Sequence, residues 1–230
     1  MIVRYGSRSE EVRFAIGNPE LSGAEEKADT VRRRWNRTAR FYGYMMGFMD
    51  RVVVRKWRRL LWSRVESSRV LEIGVGTGNN FSYYPAGAKV TAVDFSEEML
   101  KRANNRASRD KVKVNLRRMD AQNLEFSENT FNTVVASMVF CAIPDPVRGI
   151  REVERVCKQG GKVVLLEQDL SAHWSSRWLV RVANPLIARM GSDWRRRPLE
   201  TVAKSGLKVE RVTNLWTGLF KLIEARKVQV

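Results

Sequence analysis

Histidine, cysteine and long apolar runs are scarce in this chain. It contains one histidine and two cysteines in 230 residues, too few for a zinc site of the usual Cys/His kind or a network of disulfides. Cys141 and Cys157 lie in apolar segments, which favours two buried thiols over the alternative of one disulfide. The longest apolar run, residues 133–143, has the length of a strand, whereas a membrane-spanning helix needs about 18–20 apolar residues. We therefore predict no metal site and no membrane span.

The first residues also lack the basic start and apolar block of a signal peptide, so we expect a cytoplasmic protein. Three regions are predicted from changes in composition. Residues 1–23 form a polar tail, and residues 24–65 form a basic helical segment that serves as a lid or a membrane contact. Residues 66–230 form an α/β domain with a basic insert, rich in Trp and Arg, at about 171–198.

Acidic residues are few relative to basic ones, and the net charge is +17. Residues 32–64 carry eleven Lys or Arg and one acid, and residues 173–198 carry six arginines and one acid, so these segments hold net charges of +10 and +5. Six of the seven tryptophans lie in the same two segments. Basic surfaces attract phosphate, whether in nucleic acid or in lipid headgroups, and charge alone does not choose between them.

Arg and Trp together are typical of helices that lie in the headgroup layer of a membrane. We therefore predict peripheral association with an anionic phospholipid surface and no obligate protein partner, and nucleic acid is the less favoured partner. The predicted membrane-contact residues are Trp57, Arg58, Arg59, Trp62, Trp174, Trp178, Arg181 and Arg189. The alternative is that these tryptophans face a protein core on helices whose arginines are solvated.

Short apolar runs alternate with helical patterns along the α/β domain. Strands are predicted at 70–73, 89–94, 112–116, 133–139 and 162–167, with a closing antiparallel pair at 207–212 and 219–225. Helices are predicted over 24–65, after Ser96, from Pro146 to the pair Gly160–Gly161, and over 199–204. This alternation predicts a Rossmann-like α/β fold, with a mostly parallel seven-stranded sheet, helices on both faces and a helical N-terminal extension. Ligands of such folds bind beyond the carboxyl ends of the strands.

The first predicted strand runs directly into glycines at positions 74, 76 and 78. Glycine allows the backbone to turn tightly and to approach a bound nucleoside without a Cβ in the way. A dinucleotide motif would need its third glycine one place later, where Asn79 stands, so NAD and ATP are disfavoured.

Two acids follow the next strands at the same predicted edge of the sheet. Asp94 lies at the end of the second strand, 20 residues after Gly74, where an acid can accept hydrogen bonds from both hydroxyls of a ribose. Asp120 follows the third strand, where a carboxylate could accept a hydrogen bond from the amino group of adenine. The three features together favour an adenosine-containing ligand.

Residues 70–80, 90–99, 119–124 and 131–146 resemble class I S-adenosylmethionine-dependent methyltransferases. The chain is most similar to the branch that contains ubiquinone/menaquinone methyltransferases and phosphatidylethanolamine N-methyltransferases, over roughly residues 35–225. The resemblance implies S-adenosylmethionine as the cofactor, with Asp94 on its ribose, Phe95 and Met99 beside the adenine, and residues 137–139 on the methyl-transfer side. The cofactor-binding residues that it implies are Glu72, Gly74, Gly76, Gly78, Asn79, Asp94, Phe95, Ser96, Met99, Asp120, Ala121, Ser137, Met138 and Val139.

A strong general base is missing from the motifs. Related sequences often carry Glu-His at the end of the fifth strand, whereas this chain has Glu167-Gln168. The single histidine, His173, lies in the basic insert, where an incidental or interfacial role is favoured over catalysis. Residues 35–44 resemble a lid segment of the family, which implies that Tyr42, and with less support Tyr44, positions the acceptor. Ordinary packing of an aromatic cluster explains these tyrosines equally well.

The resemblance specifies the cofactor better than the acceptor. We expect methylation of a lipid or amphipathic acceptor at a membrane surface, with the amine of phosphatidylethanolamine as the first candidate. A C-methyltransferase for quinone precursors and a methyltransferase for small thiols or amines are alternatives. An RNA methyltransferase is a third, although residues 137–140 lack the Asn/Asp-Pro-Pro-aromatic sequence of amino-methylating nucleic-acid enzymes. The complete cofactor motifs disfavour a non-enzymatic scaffold.

Overall fold

The computed structural model describes residues 54–66, 68–169 and 196–228, together with residues 30, 33 and 193. Several predictions lie outside the described residues: the polar tail, the lid tyrosines, the histidine and half of the membrane-contact set, namely residues 1–23, Tyr42, Tyr44, His173, Trp174, Trp178, Arg181 and Arg189.

Within the described ranges, seven strands form one sheet in the order β3-β2-β1-β4-β5-β7-β6, and β7 runs antiparallel to both of its neighbours. The other pairs, β1 with β2 and β4, β2 with β3, and β4 with β5, are parallel. The predicted α/β fold with a mostly parallel sheet is therefore confirmed. The strands are β1 Arg69–Ile73, β2 Lys89–Asp94, β3 Asn115–Arg118, β4 Phe131–Ser137, β5 Cys157–Gln168, β6 Leu207–Leu215 and β7 Phe220–Lys227.

Two of the described helices begin at a residue whose side chain caps the first turn. Ser96 caps α2, because its hydroxyl accepts a hydrogen bond from the N–H of Met99 at 3.3 Å. Asp145 caps α3, because its carboxylate accepts from the N–H groups of Val147 and Arg148, each at 3.0 Å. The cap at Ser96 and the helix start at Pro146 were predicted. The helices are α1 Arg55–Trp62, α2 Glu97–Arg109, α3 Pro146–Val156 and α4 Pro198–Val202.

Several predicted bounds are wrong for local reasons. The third strand starts later than residue 112, because the N–H of Val112 bonds to the carbonyl of Ala107 at 2.8 Å and completes the turn after α2. The apolar pattern there arises because Val112 and Val114 pack against the cluster beneath α2. The fourth strand ends at Ser137 and not at residue 139, because Met138 has a φ of +57°.

Two helix ends also differ from the prediction. The first helix ends at Trp62 and not at residue 65, because the N–H groups of Arg64 and Val65 bond to carbonyls only three residues back and so leave the α-helical pattern. The helix α3 ends at Val156, whereas Gly160 and Gly161 belong to an early, irregular part of β5. The Gly-Gly pair therefore marks an irregularity at the start of a strand and not the end of a helix.

Helices cover both faces of the sheet, so alternate residues of each strand enter different cores. Val134 and Ile150 pack on the face covered by α3, and neither is exposed to solvent. Val135 packs on the opposite face against Leu61 and Trp62 of α1. Burying each such side chain stabilises the fold by roughly 1.5–3 kcal/mol. The two cores fix the ends of β1, β2 and β4 at one edge of the sheet.

Both cysteines are buried and neither forms a disulfide, as predicted. Among the described residues, no helix is both long enough and apolar enough to cross a lipid bilayer.

Candidate functional site

A cavity opens at the carboxyl edge of the sheet, bounded by the segments that follow β1, β2, β3 and β4. Parallel strands end at the same edge, so residues that are far apart in sequence meet there. Its lining consists of Arg58, Ile73, Gly74, Val75, Gly76, Thr77, Asn79, Val93, Asp94, Phe95, Met99, Met119, Asp120, Ala121, Ser137, Met138, Val139, Ala142, Ile143 and Pro144.

The glycine turn after β1 forms one wall of the cavity. Gly74 has a φ of +68°, and a Cβ at this position would collide with the side chain of Val139. Gly76 also has a positive φ, +54°, but a Cβ added there would meet no atom within 4 Å. The turn therefore presents bare backbone to open space inside the cavity, and that space is available to a bound molecule.

Asp94 connects the ends of β1 and β2. Its carboxylate accepts hydrogen bonds from the N–H of Gly76 at 2.8 Å and from the N–H of Ser96 at 2.9 Å. Burial raises the pKa of Asp94 to about 6, and the hydrogen bonds from Ser96 and Gly76 limit the rise. The group is therefore mostly ionised at neutral pH and can accept hydrogen bonds from hydroxyl groups.

A mostly apolar wall follows β2 and β3. Phe95, Met99, Met119 and Ala121 line it. Asp120 stands at its edge, and its carboxylate is held by the N–H of Gln122 at 2.9 Å and by the side-chain amide of the same residue. A flat heteroaromatic ring with a polar edge suits such a wall.

Three of the residues predicted to touch the cofactor are not part of the cavity lining. Gly78 faces the ring of Phe81, against which a Cβ would collide. Ser96 is occupied in capping α2. Glu72 is completely buried behind the wall. In the structure these three positions serve packing, capping and support of the site.

Glu72 belongs to a buried polar network behind the glycine turn. Its carboxylate accepts hydrogen bonds from the side-chain amide of Asn80 and the hydroxyl of Tyr84. Burial raises the pKa of Glu72, and those two hydrogen bonds and the charge of Arg58 oppose the rise. Arg58 in turn donates to Asn80 at 2.7 Å and to the hydroxyl of Ser137 at 3.3 Å.

The predicted membrane contact is wrong for two residues of α1. Arg58 is only 6% exposed and lines the cavity, and Trp62 is 2% exposed and packs against Tyr84. The charged or aromatic character of these residues suggested a surface, whereas helical spacing places both on the inner face of α1. Trp57 is half-buried, and Arg59 is exposed.

The segment after β4 forms the opposite wall. Met138 adopts a left-handed conformation, and its N–H bonds to the carbonyl of Leu166 at 2.7 Å. The carboxylate of Glu167 accepts hydrogen bonds from the N–H groups of Val139 at 2.9 Å and Phe140 at 3.2 Å. Burial raises the pKa of Glu167 to about 7. Glu167 therefore fixes the path of the strained segment from outside the cavity.

The structure brings together most of the predicted cofactor residues: the cavity lining includes Gly74, Gly76, Asn79, Asp94, Phe95, Met99, Asp120, Ala121, Ser137, Met138 and Val139. Sequence reasoning missed the contribution of residues 142–144 and of Arg58. The predicted start of α3 at Pro146 was a usable signal for residues 142–144, because the chain that enters this helix must pass the same edge of the sheet. No motif signalled Arg58.

The cavity suits S-adenosylmethionine in shape and chemistry. Gly76 leaves open space beside a buried carboxylate, which provides an acceptor for ribose hydroxyls. The apolar wall of Phe95 and Met99 can cover an adenine, and Asp120 is placed at its edge. The buried guanidinium of Arg58 offers a positive charge to a carboxylate.

Comparisons with known proteins agree with this geometry. A family model described as a methyltransferase domain matches residues 71–165. A phosphatidylethanolamine N-methyltransferase of Cereibacter sphaeroides is 39% identical over 60% of this chain and 68% of its own length. A ubiquinone/menaquinone biosynthesis C-methyltransferase of Geobacter sp. (strain M21) is 27% identical over 62% of this chain, and the match spans 64% of that relative, slightly less than two thirds.

Among solved structures, a SAM-dependent methyltransferase from Thermotoga maritima has the same fold, with a TM-score of 0.66 over 85% of this chain and 99% of that one, at 20% identity. The sequence resemblance, the sheet order with its antiparallel β7 and the cavity at the carboxyl edge all lead to the same family. The chain belongs to the class I S-adenosylmethionine-dependent methyltransferases.

Proposed function

We propose that this methyltransferase acts on the amine of a lipid or amphipathic acceptor at a membrane surface, with phosphatidylethanolamine as the first candidate. One relative, 39% identical, is named for that activity, and the quinone-methylating relative is 27% identical. The structural observation that carries the proposal is the chemistry of the cavity: among its described lining residues there is no His, Lys or Tyr, and its two carboxylates, Asp94 and Asp120, are taken up by the contacts proposed below for the cofactor.

That chemistry matters because acceptors differ in what they need from the protein. An amine carries its own lone pair once it has lost a proton, which water can accept. The carbon of a quinone precursor becomes nucleophilic only when a neighbouring oxygen is deprotonated, and this calls for a base. A wall of Met138, Val139, Ala142 and Ile143 supplies shape and dryness without a base. It therefore favours the amine.

Asp94 is proposed to accept the ribose hydroxyls, with Gly74 and Gly76 supplying close backbone contact. Phe95 and Met99 would flank the adenine, and Asp120 would meet its amino group. S-adenosylmethionine, when bound, supplies a methyl group on a positively charged sulfur. The remaining proposed contacts are Asn79, Ala121, Ser137, Met138 and Val139.

Arg58 is proposed to pair with the carboxylate of the methionine end of the cofactor. It is the one cation among the described lining residues. It is buried, its positive charge opposes the rise that burial causes in the pKa of Glu72, and it donates hydrogen bonds to Asn80 and Ser137, so its position at the cavity wall is fixed before a ligand binds.

The protein's part in the reaction is alignment and exclusion of water. S-adenosylmethionine held by Asp94 and the glycine turn would supply an electrophilic methyl group on sulfur, and S-adenosylhomocysteine would be the product that remains. The amine would give up one proton to water before its lone pair receives the methyl group. The segment of residues 137–139, held by Glu167, would fix the direction of attack, since displacement of this kind requires nucleophile, carbon and leaving group in line.

The test is mass spectrometry after incubation of the full-length protein with a total lipid extract and deuteriomethyl S-adenosylmethionine. The proposal expects the label in a methylated phosphatidylethanolamine, and no label with the variant Asp94→Ala. Label confined to a quinone, a small thiol or a nucleoside would reject this acceptor and leave the family assignment intact.

A further inference from the structure

Three aromatic side chains form a cluster at the start of α1 and the turn between β6 and β7. The rings of Trp57 and Phe220 lie 4.8 Å apart, and Trp216 stacks on Phe220 at 6.2 Å with an interplanar angle of 16°. Trp216 is 51% exposed, the largest exposed fraction among the described large apolar side chains. The cluster therefore presents an indole to the surroundings of the molecule.

The cluster lies at the same edge of the sheet as the cofactor cavity. Phe220 of β7 pairs with Gln168, the last residue of β5, and the carboxyl end of β5 belongs to the cavity edge. On the other side of the cluster, Trp57 immediately precedes Arg58, which lines the cavity. A surface that contacts these rings would lie close to the cavity.

The tip of the turn is strained in a way that exposes the indole. Trp216 has a φ of +42° and Thr217 a φ of +55°. Non-glycine residues rarely adopt this region, and tight hairpin turns that need it usually carry Asn or Gly. The turn is occupied by two adjacent residues, Trp and Thr, that seldom adopt such a conformation. This conformation leaves the Trp side chain exposed. Strain of this kind is found at functional sites.

The surroundings of the cluster are basic. Arg55, Lys56 and Arg59 of α1 are exposed, and the first turn of this helix has no acidic residue. Trp tolerates the boundary between water and lipid, and cations next to it attract anionic headgroups. The charge complementarity selects an anionic lipid bilayer as the partner, because such a surface offers both phosphate and an apolar layer to the indoles.

We propose that the aromatic–basic surface, defined as Trp57, Trp216 and Phe220 with Arg55, Lys56 and Arg59, docks the protein on an anionic phospholipid bilayer beside the mouth of the cavity. The inference rests on the proposed function, because the docking surface serves methylation only if the acceptor is a lipid. A headgroup at this surface would lie next to the methyl-transfer site. It replaces Arg58 and Trp62 of the predicted contact with Trp216 and Phe220.

The experiment is flotation of the full-length protein with vesicles of phosphatidylcholine, with and without phosphatidylglycerol. We expect binding only when phosphatidylglycerol is present. The triple variant Arg55→Gln, Lys56→Gln, Arg59→Gln should reduce the partition coefficient by about 100-fold, since each cation near an anionic surface contributes about fivefold. Trp216→Ala should reduce it about tenfold.

Matched control variants lie at the opposite edge of the sheet. Lys111→Gln, Lys113→Gln, Lys208→Gln removes the same number of exposed charges, and Val209→Ala shortens an exposed apolar residue of β6. Both controls should float like the unaltered protein, and every variant should bind S-adenosylhomocysteine normally in calorimetry, which shows that it is folded.

Equal losses in the control triple variant and the α1 triple variant would overturn the docking surface. So would binding of the unaltered protein to RNA but not to vesicles. Activity on phosphatidylethanolamine in detergent micelles separates the two proposals. Methylation in micelles without vesicle binding rejects the surface alone, and vesicle binding without methylation rejects the acceptor alone.

Discussion

Trp57 and Arg58 are neighbours in the sequence that serve different environments. Trp57 is half-buried in an aromatic cluster at the surface, and Arg58 is buried in the cofactor cavity. A sequence of alternating Trp and Arg suggested one surface for both. The helix separates them by about 100° of rotation, and only the packing of α1 against the sheet decides which of the two turns inward.

At the residue scale, Arg58→Met should weaken binding of S-adenosylhomocysteine by about 10- to 100-fold, the usual strength of a hydrogen bond to a charged group. Binding of methylthioadenosine, which lacks the amino-acid end, should be unchanged. Titration calorimetry with both ligands measures this, and Arg58→Lys serves as the charge-preserving control. Equal losses for both ligands would mean that Arg58 only supports Asn80 and Ser137.

Glu167 is expected to make folding stability depend on pH. Burial raises its pKa to about 7, above the ordinary 4.5, so the folded state binds the proton more tightly than the unfolded state. Its stabilising contribution is therefore complete below pH 4.5 and lost as pH rises to about 7. Relative to Glu167→Gln, the free energy of unfolding should fall by on the order of 3 kcal/mol across this window.

Urea unfolding at several pH values measures that difference. Glu167→Leu provides the contrast, because it leaves the N–H groups of Val139 and Phe140 without their acceptor and should be less stable than the Gln variant at every pH. Parallel pH profiles for the unaltered protein and Glu167→Gln would contradict the account of this carboxyl.

At the scale of elements, the sequence predicted strands and caps well and their ends less well. Ser96 and Asp145 carry their capping function in their own side chains, so both helix starts were visible. The end of β4 was not, because the left-handed Met138 depends on the bond of its N–H to Leu166 in another strand. Contacts between distant segments, such as Arg58 with Ser137, have no local signal.

The cap of α3 gives a prediction at this scale. Asp145→Ala should lower the free energy of unfolding by about 1 kcal/mol, because two N–H groups of the first turn lose their acceptor. Asp145→Asn should be close to neutral, since its amide oxygen can still accept. Guanidinium unfolding of the three proteins checks this, and equal stability of the Ala variant would contradict the capping role.

At the scale of the whole molecule, positive charge is concentrated in two segments of the sequence. Residues 32–64 alone contribute +10 of the net +17, and their described helix, α1, contributes Arg58 to the cavity lining. Residues 173–198 contribute a further +5, and the rest of the chain is close to neutral at +2. The cavity itself presents two carboxylates, Asp94 and Asp120, which suit a cofactor with a positive sulfur.

The reactivity of the two cysteines reports on whether the whole domain is folded. Cys157 is completely buried, and burial raises the pKa of its thiol to about 11, so little thiolate forms at neutral pH. We expect neither Cys141 nor Cys157 to react with a thiol reagent in the native protein within minutes, and both to react in denaturant. Spectrophotometric thiol titration measures this. Rapid stoichiometric labelling of the native protein would contradict the packing of β5.

The central claim is that Asp94 and the glycine turn hold one molecule of S-adenosylmethionine. The most direct measurement is titration calorimetry of S-adenosylhomocysteine into the unaltered protein, Asp94→Ala and the surface control Asp110→Ala, with thermal unfolding as a check on folding. We predict one site, an affinity lower by about 100-fold or more in Asp94→Ala because hydrogen bonds to a charged acceptor are lost, and no change in Asp110→Ala. Near-normal affinity in a folded Asp94→Ala would contradict the claim.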